Sequence, residues 1–227
     1  MYFLTIFIGN RKVIHMGILE QHHALVAKQV IQNLAKRHMQ GFYCKTAEDA
    51  VDLASSLMKE GSSVSWGGTM TMKEIGLLDA IKNRGDLKVL DRSTAKTQEE
   101  IDTMYRQVFS ADNFIMSTNA ITLDGELLNI DGTGNRVAAL IFGPKQVIVI
   151  AGMNKVCKDL DEAMTRVRNI ASPPNCIRLN MKTPCAVTGV CGDCLGDDCI
   201  CNQIVTTRNS RDPERIKVIL VEGSWGY

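Results

Sequence analysis

Short apolar runs alternate with amphipathic stretches along most of the chain. Residues 17–39 repeat apolar side chains at helical spacing, with Gln, Lys and Arg opposite them, which predicts a helix ending near Gly41. Residues 146–151, QVIVIA, have the composition of a central parallel strand that is covered on both faces. Because strands alternate with helices, the pattern predicts an α/β fold with a mainly parallel sheet. The other predicted strands are residues 41–45, 62–66, 87–90, 114–116 and 216–221.

Threonines mark the predicted starts of three helices between these strands. A threonine at a helix start caps free backbone N–H groups, and a glutamate three residues later completes a capping box. A further helix is predicted over residues 158–170, after which Pro173 and Pro174 mark a break in composition. The three capping threonines are Thr46 alone, Thr71 with Glu74, and Thr97 with Glu100.

The stretch at residues 113–136, NFIMSTNAITLDGELLNIDGTGNR, is the first candidate site. Asp124 and Gly125 separate two strand-like runs, which predicts a β-hairpin. Glycines then precede a helix predicted to begin at Arg136, and their backbone N–H groups would be free to bind an anion. The alternative is a hairpin that leads into a helix and binds nothing. The candidate ligand-binding residues are Asn119, Gly132, Thr133, Gly134, Asn135 and Arg136, where Arg136 either contacts the anion or points into solvent.

The second candidate site is SWGGT, residues 65–69, where a predicted strand gives way to a helix. Open α/β sheets bind ligands at this edge. Gly67 and Gly68 let the backbone approach a ligand closely, and Ser65, Thr69 and Thr71 supply hydroxyl groups. The alternative is a tight turn followed by a helix cap.

Several common site types do not fit the sequence. GTGNRV resembles the start of a dinucleotide fingerprint but lacks its third glycine and the later acidic residue, so we expect no NAD. All four histidines precede residue 39, so a catalytic triad, a zinc site of the HExxH type or a histidine base would require His22, His23 or His38 to fold back. Otherwise the acid or base must be a carboxylate, Lys, Tyr or Cys. The carboxylates near the glycine turns are Asp124, Asp131 and Glu74.

A cysteine-rich segment, residues 172–205, is the third candidate site. Six of the eight cysteines lie here with the spacing C-x8-C-x5-C-x2-C-x4-C-x-C. Four thiolates could hold zinc or an iron–sulfur cluster, whereas the alternative is a set of reduced, packed thiols. Cys44 and Cys157 lie apart and are expected in the core. The predicted metal ligands are Cys185, Cys191, Cys194, Cys199 and Cys201.

Composition narrows the function classes. The chain of 227 residues carries 26 basic and 25 acidic side chains, so no strong positive field suggests a nucleic-acid or anionic-membrane partner. No apolar run approaches the ~20 residues of a membrane span. Residues 1–15 lack the features of a signal peptide and are interpreted as a mis-started or non-native extension, with an added edge strand as the alternative. Residues 16–227 are predicted to form one cytoplasmic domain.

Three long motifs resemble the LUD-domain family of lactate-utilization proteins, typified by LutC and YkgG, over roughly residues 17–222. The motifs are SWGGTMTMKEIGL, STNAITLDGELLNIDGTGNRVAALIFGP and TPCAVTGVCGDCLGDDCICN. The resemblance is strongest to a bacterial branch of stand-alone proteins with this cysteine-rich segment, from which the plain family pattern departs. It implies a three-layer α/β/α sandwich like the sugar-phosphate isomerase and CoA-transferase superfamily, and a link to lactate oxidation through iron–sulfur partner proteins. It transfers no catalytic residue.

Two hypotheses follow. The first is a redox accessory protein that holds an iron–sulfur cluster or zinc in its cysteine-rich segment and docks iron–sulfur redox proteins or a small organic acid. The alternative is an isomerase-like or CoA-transferase-like enzyme that binds a phosphorylated or CoA-bearing molecule at the glycine turns, with Asp124 or Asp131 as acid or base. If the apolar face of the first helix is exposed, it would mediate a homodimer.

Overall fold

The structure of the protein, a computed structural model, describes residues 17–227. The interpretation of residues 1–15 therefore concerns a segment outside the described residues. The α-helices of the described part are α1 (Ile18–Lys36), α2 (Ala47–Ser56), α3 (Met70–Glu74), α4 (Leu77–Lys82), α5 (Gln98–Val108), α6 (Asn135–Ile141), α7 (Leu160–Arg166), α8 (Ser172–Arg178) and α9 (Pro184–Thr188).

Two sheets organise the strands. The larger sheet has six strands in the order β1-β10-β7-β4-β2-β3, and all of its strand pairs are parallel. The smaller sheet has the order β8-β5-β6-β9. The strands are β1 (Gln40–Cys44), β2 (Ser63–Trp66), β3 (Lys88–Val89), β4 (Asn113–Met116), β5 (Ala120–Thr122), β6 (Leu127–Asp131), β7 (Gln146–Gly152), β8 (Val156–Cys157), β9 (Gln203–Thr207) and β10 (Ile216–Val221).

The six-stranded sheet is covered on both faces. Alternate residues of β7 point to opposite sides, so that Val147 and Val149 pack in one core with α1 and α6, whereas Ile148 and Ile150 pack in a second core with α2, α3 and α4. This burial on both faces explains why β7 is an unbroken apolar run. The predicted α/β fold with a mainly parallel sheet and helices on both sides is confirmed.

The predicted hairpin is also confirmed, and it belongs to the smaller sheet. Strands β5 and β6 pair antiparallel across the turn that contains Gly125, whose φ of +85° suits glycine. Strand β9, which pairs with β6, was not predicted. Its residues are mostly exposed, so the sequence shows none of the apolar pattern that marked the buried strands.

Two of the three predicted helix caps are correct. Thr46 accepts a hydrogen bond from the Asp49 N–H, and Thr97 forms a capping box with Glu100. The box predicted at Thr71 is wrong, because α3 begins one residue earlier and Thr71 is buried within its first turn. Its hydroxyl group is used by tertiary contacts instead.

The predicted break at Pro173 and Pro174 is replaced by a continuing helix. Helix α7 passes through one π-helical turn, Val167–Ala171, directly into α8. Both prolines lie in the first turn of α8, where their missing N–H groups are tolerated. The π turn relaxes the backbone hydrogen-bond pattern just ahead of them.

Helix α1 buries one face and exposes apolar side chains on another. Ala27, Val30 and Leu34 are fully buried, whereas Ile18 and Leu25 are 88% and 70% exposed. The homodimer at this helix stays a prediction. No helix within residues 17–227 is long and apolar enough to cross a membrane.

Candidate functional site

A cavity of about 310 Å³ lies at the carboxyl edge of the six-stranded sheet. One group of lining residues follows the ends of β2, β4, β7 and β10, which the parallel topology brings to one edge. Another group lies at the end of β6 and the start of α6, and a further wall comes from α8 and the cysteine-rich segment. The polar and charged lining residues include Thr69, Thr71, Arg92, Ser117, Asn119, Asp131, Thr133, Asn135, Arg136, Lys155, Ser172, Asn175, Arg178 and Tyr227.

Lys155 is the buried amine of this cavity. It is 3% exposed, and its Nζ donates hydrogen bonds to Thr71 Oγ1 and Ser117 Oγ, both at 2.9 Å. The two hydroxyl groups have donor targets of their own, since Thr71 donates to the Trp225 carbonyl and Ser117 to the Thr118 carbonyl. Their oxygens therefore act as acceptors for the amine. Within the described residues Lys155 has no further hydrogen-bond partner and no carboxylate in contact.

The environment of Lys155 favours the neutral amine. Burial lowers the pKa of Lys155 to about 7, with further lowering by the positive charges of Arg166 and Arg136 and a smaller opposing effect of Glu74. A neutral amine has two N–H groups and one lone pair. Because both N–H groups are used by Thr71 and Ser117, the lone pair is the free position of the nitrogen.

Two arginines on the cavity wall are free to bind an anion. Arg92 contacts the Tyr105 ring at 5.8 Å and its hydroxyl at 3.4 Å, and Arg178 donates only to the Asn175 side chain. Within residues 17–227 neither arginine forms a salt bridge. Asp131 is the one carboxylate among the lining residues, and it is already paired with Arg136. The cavity therefore has an excess of positive charge.

Arg136 is a buried structural residue rather than a free anion ligand. Its Nε pairs with Asp131 at 3.2 Å, and its two terminal nitrogens donate to four oxygens. All five N–H groups of the guanidinium are thus occupied. The alternative that Arg136 points into solvent is therefore wrong, and the side chain contributes charge to the cavity without offering a free donor. The four oxygens are the Ser117 and Ile130 carbonyls and the Asn119 and Asn129 side-chain oxygens.

Some glycines of the predicted turns line the cavity, and the others contact residues of the surrounding structure. Gly68 and Gly132 line the cavity. A Cβ on Gly67 would lie 2.9 Å from Arg136 Cδ, so this glycine makes room for the buried arginine rather than for a ligand. The N–H of Gly134 donates to Asp131 Oδ1 at 3.0 Å and is not free for an anion.

Besides Gly67, Gly134 and the predicted cysteine ligands, three further predicted site residues lie outside the cavity lining. Ser65 is buried and donates to the Leu90 carbonyl, which links β2 to the residues after β3. Asp124 lies exposed in the hairpin turn, where its carbonyl accepts a hydrogen bond from Arg37, the residue after α1. Glu74 accepts a hydrogen bond from the Gly226 N–H at 2.6 Å and acts on Lys155 only through its charge.

The segment that follows β10 closes the cavity on the side of Lys155. Asn154 accepts from the Trp225 N–H and donates to the Gly226 carbonyl, both at 3.2 Å. Tyr227 lines the cavity. The residue next to Lys155 thus holds the C-terminal segment over the amine.

The comparisons with known proteins identify the family. A family model of the LUD domain matches residues 27–221. The chain belongs to the LUD domain family. None of the curated proteins matches the chain.

Solved structures support the fold of this LUD domain. The chain is similar to the crystal structure of a DUF162 family protein from Deinococcus radiodurans, with 12% identity, a TM-score of 0.53, and coverage of 88% of this chain and 98% of that chain. It is less similar to eIF2B delta from Chaetomium thermophilum, with 17% identity, a TM-score of 0.36, and coverage of 64% and 56%. Likeness at the level of the first structure shows a shared fold.

The cysteine-rich segment of this LUD domain contains only free thiols. Cys185 and Cys199 are buried, and Cys191, Cys194 and Cys201 are half-buried. Burial and a hydrogen bond with Cys185 raise the pKa of Cys176 to about 11. Burial and a hydrogen bond with Cys199 likewise raise the pKa of Cys194. The raised pKa values favour the protonated form of the Cys176 and Cys194 thiols.

The donor chemistry of this segment fits zinc or an iron–sulfur cluster, since both take thiolates. The arrangement is looser than a metal centre. Among residues 17–227, no group of three or more Cys, His, Asp or Glu side chains is placed to hold one ion. The predicted ligand set stays a prediction.

The segment also builds one wall of the cavity. Ile200 lines it and packs against Gly132, where an added Cβ would lie 3.3 Å from the Ile200 Cα. The Cys201 thiol lies 3.5 Å from the hydroxyl of Ser172, which is itself a lining residue. The position of the cysteines thus affects the shape of the cavity.

Sequence reasoning noted the Ser117 hydroxyl group in the first candidate site but missed Lys155, Arg92 and Arg178 as site residues. A usable signal existed for Lys155, because it comes soon after the apolar strand QVIVIA and the ends of parallel strands meet at one edge. The same rule applies to Ser117 after β4. No comparable signal marks Arg92 and Arg178, which reach the cavity only through the tertiary fold.

Proposed function

We propose that this LUD domain is an enzyme that binds a small anionic organic acid in the 310 Å³ cavity and uses Lys155 as its acid–base group. The observation that carries the proposal is the buried Lys155 amine, with both N–H groups held by Thr71 and Ser117 and its lone pair free. The volume lies at the lower end of the range for small-molecule sites. The lactate-utilization link implied by the family makes 2-hydroxy and 2-oxo acids the first compounds to test.

The site chemistry is proton transfer. The ligand's carboxylate binds Arg92 and Arg178, which have no carboxylate partner among the described residues. The neutral Lys155 amine takes a proton from the bound acid, and the resulting ammonium returns it at another atom. A pKa near the working pH allows the amine to serve in both directions. Burial, with the charges of Arg166 and Arg136, lowers the pKa of Lys155 so that a substantial share of the amine is neutral near pH 7.

Ligand-dependent thermal stability tests this function. We expect lactate, pyruvate or a small phosphorylated acid to raise the melting temperature, because a ligand at about 100 times its Kd adds about 2.7 kcal/mol to the free energy of unfolding. The gain should be lost in a double variant Arg92→Gln and Arg178→Gln. It should persist in Asp124→Asn, which changes an exposed carboxylate outside the cavity. No gain from any anion in the wild-type protein would contradict the proposal.

A redox accessory role is the second candidate, and the six free thiols of the cysteine-rich segment favour it. In this proposal Cys185, Cys191, Cys194, Cys199 and Cys201 hold zinc or an iron–sulfur cluster, which would supply a structural clip or an electron carrier. Iron–sulfur redox proteins would be the partners.

Metal and acid-labile sulfide analysis of protein purified without oxygen tests this role. Iron with sulfide supports the redox role, and about one zinc per chain supports a clip. The double variant Cys191→Ser and Cys194→Ser should lose the metal, whereas Cys44→Ala, a core cysteine outside the segment, should keep it. Unchanged metal content in the double variant would rule the segment out as the binding site.

A further inference from the structure

We propose that Lys155 forms an imine with the carbonyl carbon of a small 2-oxo acid bound in the cavity. The inference rests on the proposed function for the binding of an anionic acid, and it adds the nucleophilic role of the amine and the class of substrate.

The hydrogen-bond geometry carries the proposal. Thr71 and Ser117 lie on different elements, α3 and the residues after β4, and each accepts one N–H of the same nitrogen at 2.9 Å. The amine is therefore fixed from two sides, and its lone pair is left for a third direction. Since Lys155 is itself a lining residue, a carbonyl carbon placed in the cavity is the group that the lone pair can reach. An ordinary surface lysine has neither the fixed direction nor the dry surroundings.

The charges of the cavity select an acid over a neutral ketone or aldehyde. Arg92 and Arg178 lie on the wall without a carboxylate partner among the described residues, and Asp131 is neutralised by Arg136. A carboxylate next to the reactive carbonyl would bind these arginines and bring the carbonyl carbon towards the amine. This places 2-oxo acids ahead of simple ketones, which carry no anionic group.

The chemical step balances without a co-reactant. The Nζ lone pair attacks the carbonyl carbon, and the C=O π electrons move to the oxygen. A proton passes from nitrogen to that oxygen and gives a carbinolamine. The nitrogen lone pair then forms the C=N bond as the C–O bond breaks, and the hydroxyl group leaves as water with the remaining N–H proton. Nothing is oxidised or reduced, and hydrolysis reverses the step.

The reaction needs the neutral amine, so its rate should follow the titration of Lys155. Arg136 of α6 and Arg166 of α7 lower the pKa of Lys155, and Glu74 of α3 raises it, with a net value of about 7. The neutral fraction then rises about tenfold between pH 6 and pH 8. The other charged groups of the wall are Arg92, Asp131 and Arg178.

Reductive trapping tests the proposal on the intact protein. Wild-type chain is incubated with pyruvate or glyoxylate and sodium borohydride, and the adduct is located by peptide mapping. With pyruvate we expect a mass gain of one pyruvic acid less one oxygen atom, on Lys155 alone. The yield should rise about tenfold from pH 6 to pH 8, and acetone should give no adduct.

Two variants and one binding measurement complete the design. The adduct should be absent in Lys155→Arg and present in Lys158→Arg, which changes a lysine whose side chain is 80% exposed three residues away. If Lys155→Arg fails to fold, the peptide map of the wild-type protein still shows whether the adduct lies on Lys155. An adduct spread over surface lysines would overturn the proposal. Binding of pyruvate in a thermal-shift assay without trapping would overturn the imine and leave the proposed function intact. Absence of 2-oxo acid binding, with binding of another anion, would also overturn the imine alone.

Discussion

The Lys155 cavity and the cysteine-rich segment both contain buried reactive side chains, but they hold those side chains differently. Around Lys155, the amine, the two hydroxyl groups and the Arg136 guanidinium all have fixed partners on different elements. In the cysteine-rich segment, Cys176 and Cys194 pair with Cys185 and Cys199 of the same segment. The cavity is thus pre-organised by the fold, whereas the segment depends on its own thiols and on what they bind.

This difference predicts where stability resides. Removing a partner around Lys155 should weaken the whole domain, because the contacts join α3, α6, α7 and two sheet edges. Removing a thiol or its ligand should loosen mainly the segment and the cavity wall near Ile200.

The largest expected effect is that of Arg136→Met. The change leaves Asp131 unpaired and removes donors from four buried or half-buried oxygens, so we expect the free energy of unfolding to fall by about 3–5 kcal/mol. Urea denaturation measures it. Arg178→Gln on the exposed rim is the matched control, with an expected change within about 0.5 kcal/mol. A loss below about 1 kcal/mol in Arg136→Met would show that this network does not hold the cavity together.

The next largest expected effect is the loss of stability when metal is removed from the cysteine-rich segment. If the thiols bind zinc, a chelator should lower the free energy of unfolding by about 2.7 kcal/mol for metal present at 100 times its Kd. Protease cleavage should then concentrate in residues 181–202. Chelation that leaves both the melting temperature and the cleavage pattern unchanged would argue for packed, metal-free thiols.

Alanine substitutions of the adjacent glycines Gly67 and Gly68 should have smaller effects on stability, and the two effects can be compared with each other. Gly67→Ala places a Cβ 2.9 Å from the pinned Arg136 side chain and should cost about 1–3 kcal/mol. Gly68→Ala places one 3.1 Å from the terminal nitrogen of Arg92, which can move, and should cost less. Chemical denaturation of both variants compares them. Equal costs would mean that Arg136 is no more constrained than Arg92.

These glycines also show how far the sequence predicts the site. The strands β4 and β7, the hairpin and the edge after β2 follow from local apolar patterns, and the structure confirms them. The role of Gly67 does not follow from a local pattern, because Arg136, its neighbour in space, is distant in the chain. Thr71 has the spacing of a capping residue, yet its hydroxyl group accepts a hydrogen bond from Lys155 and donates one to the Trp225 carbonyl. A lysine after a strand is ordinarily exposed, and Lys155 is buried only because β7 is central and the C-terminal segment covers it.

The last expected effect is a pH dependence of stability, which builds up gradually over several pH units. The unfolded chain keeps Lys155 protonated up to about pH 10.4, whereas the folded chain releases the proton near pH 7, so the unfolded state binds more protons in between. Wild-type stability therefore gains from this group as pH rises. Relative to wild type, Lys155→Met should lose up to about 1.4 kcal/mol per pH unit from pH 7 to pH 10. A constant difference across this range would contradict a lowered pKa.

The titration of Lys155 itself tests the central claim most directly. In protein with ¹³C-labelled lysine, the Lys155 resonance is assigned with Lys155→Arg and followed against pH by NMR. We predict a pKa of about 7, and a higher value when lactate or phosphate is bound, because a bound anion favours the ammonium. A pKa near the ordinary value of about 10.4, unchanged by either anion, would contradict both the neutral amine and the anion-binding cavity.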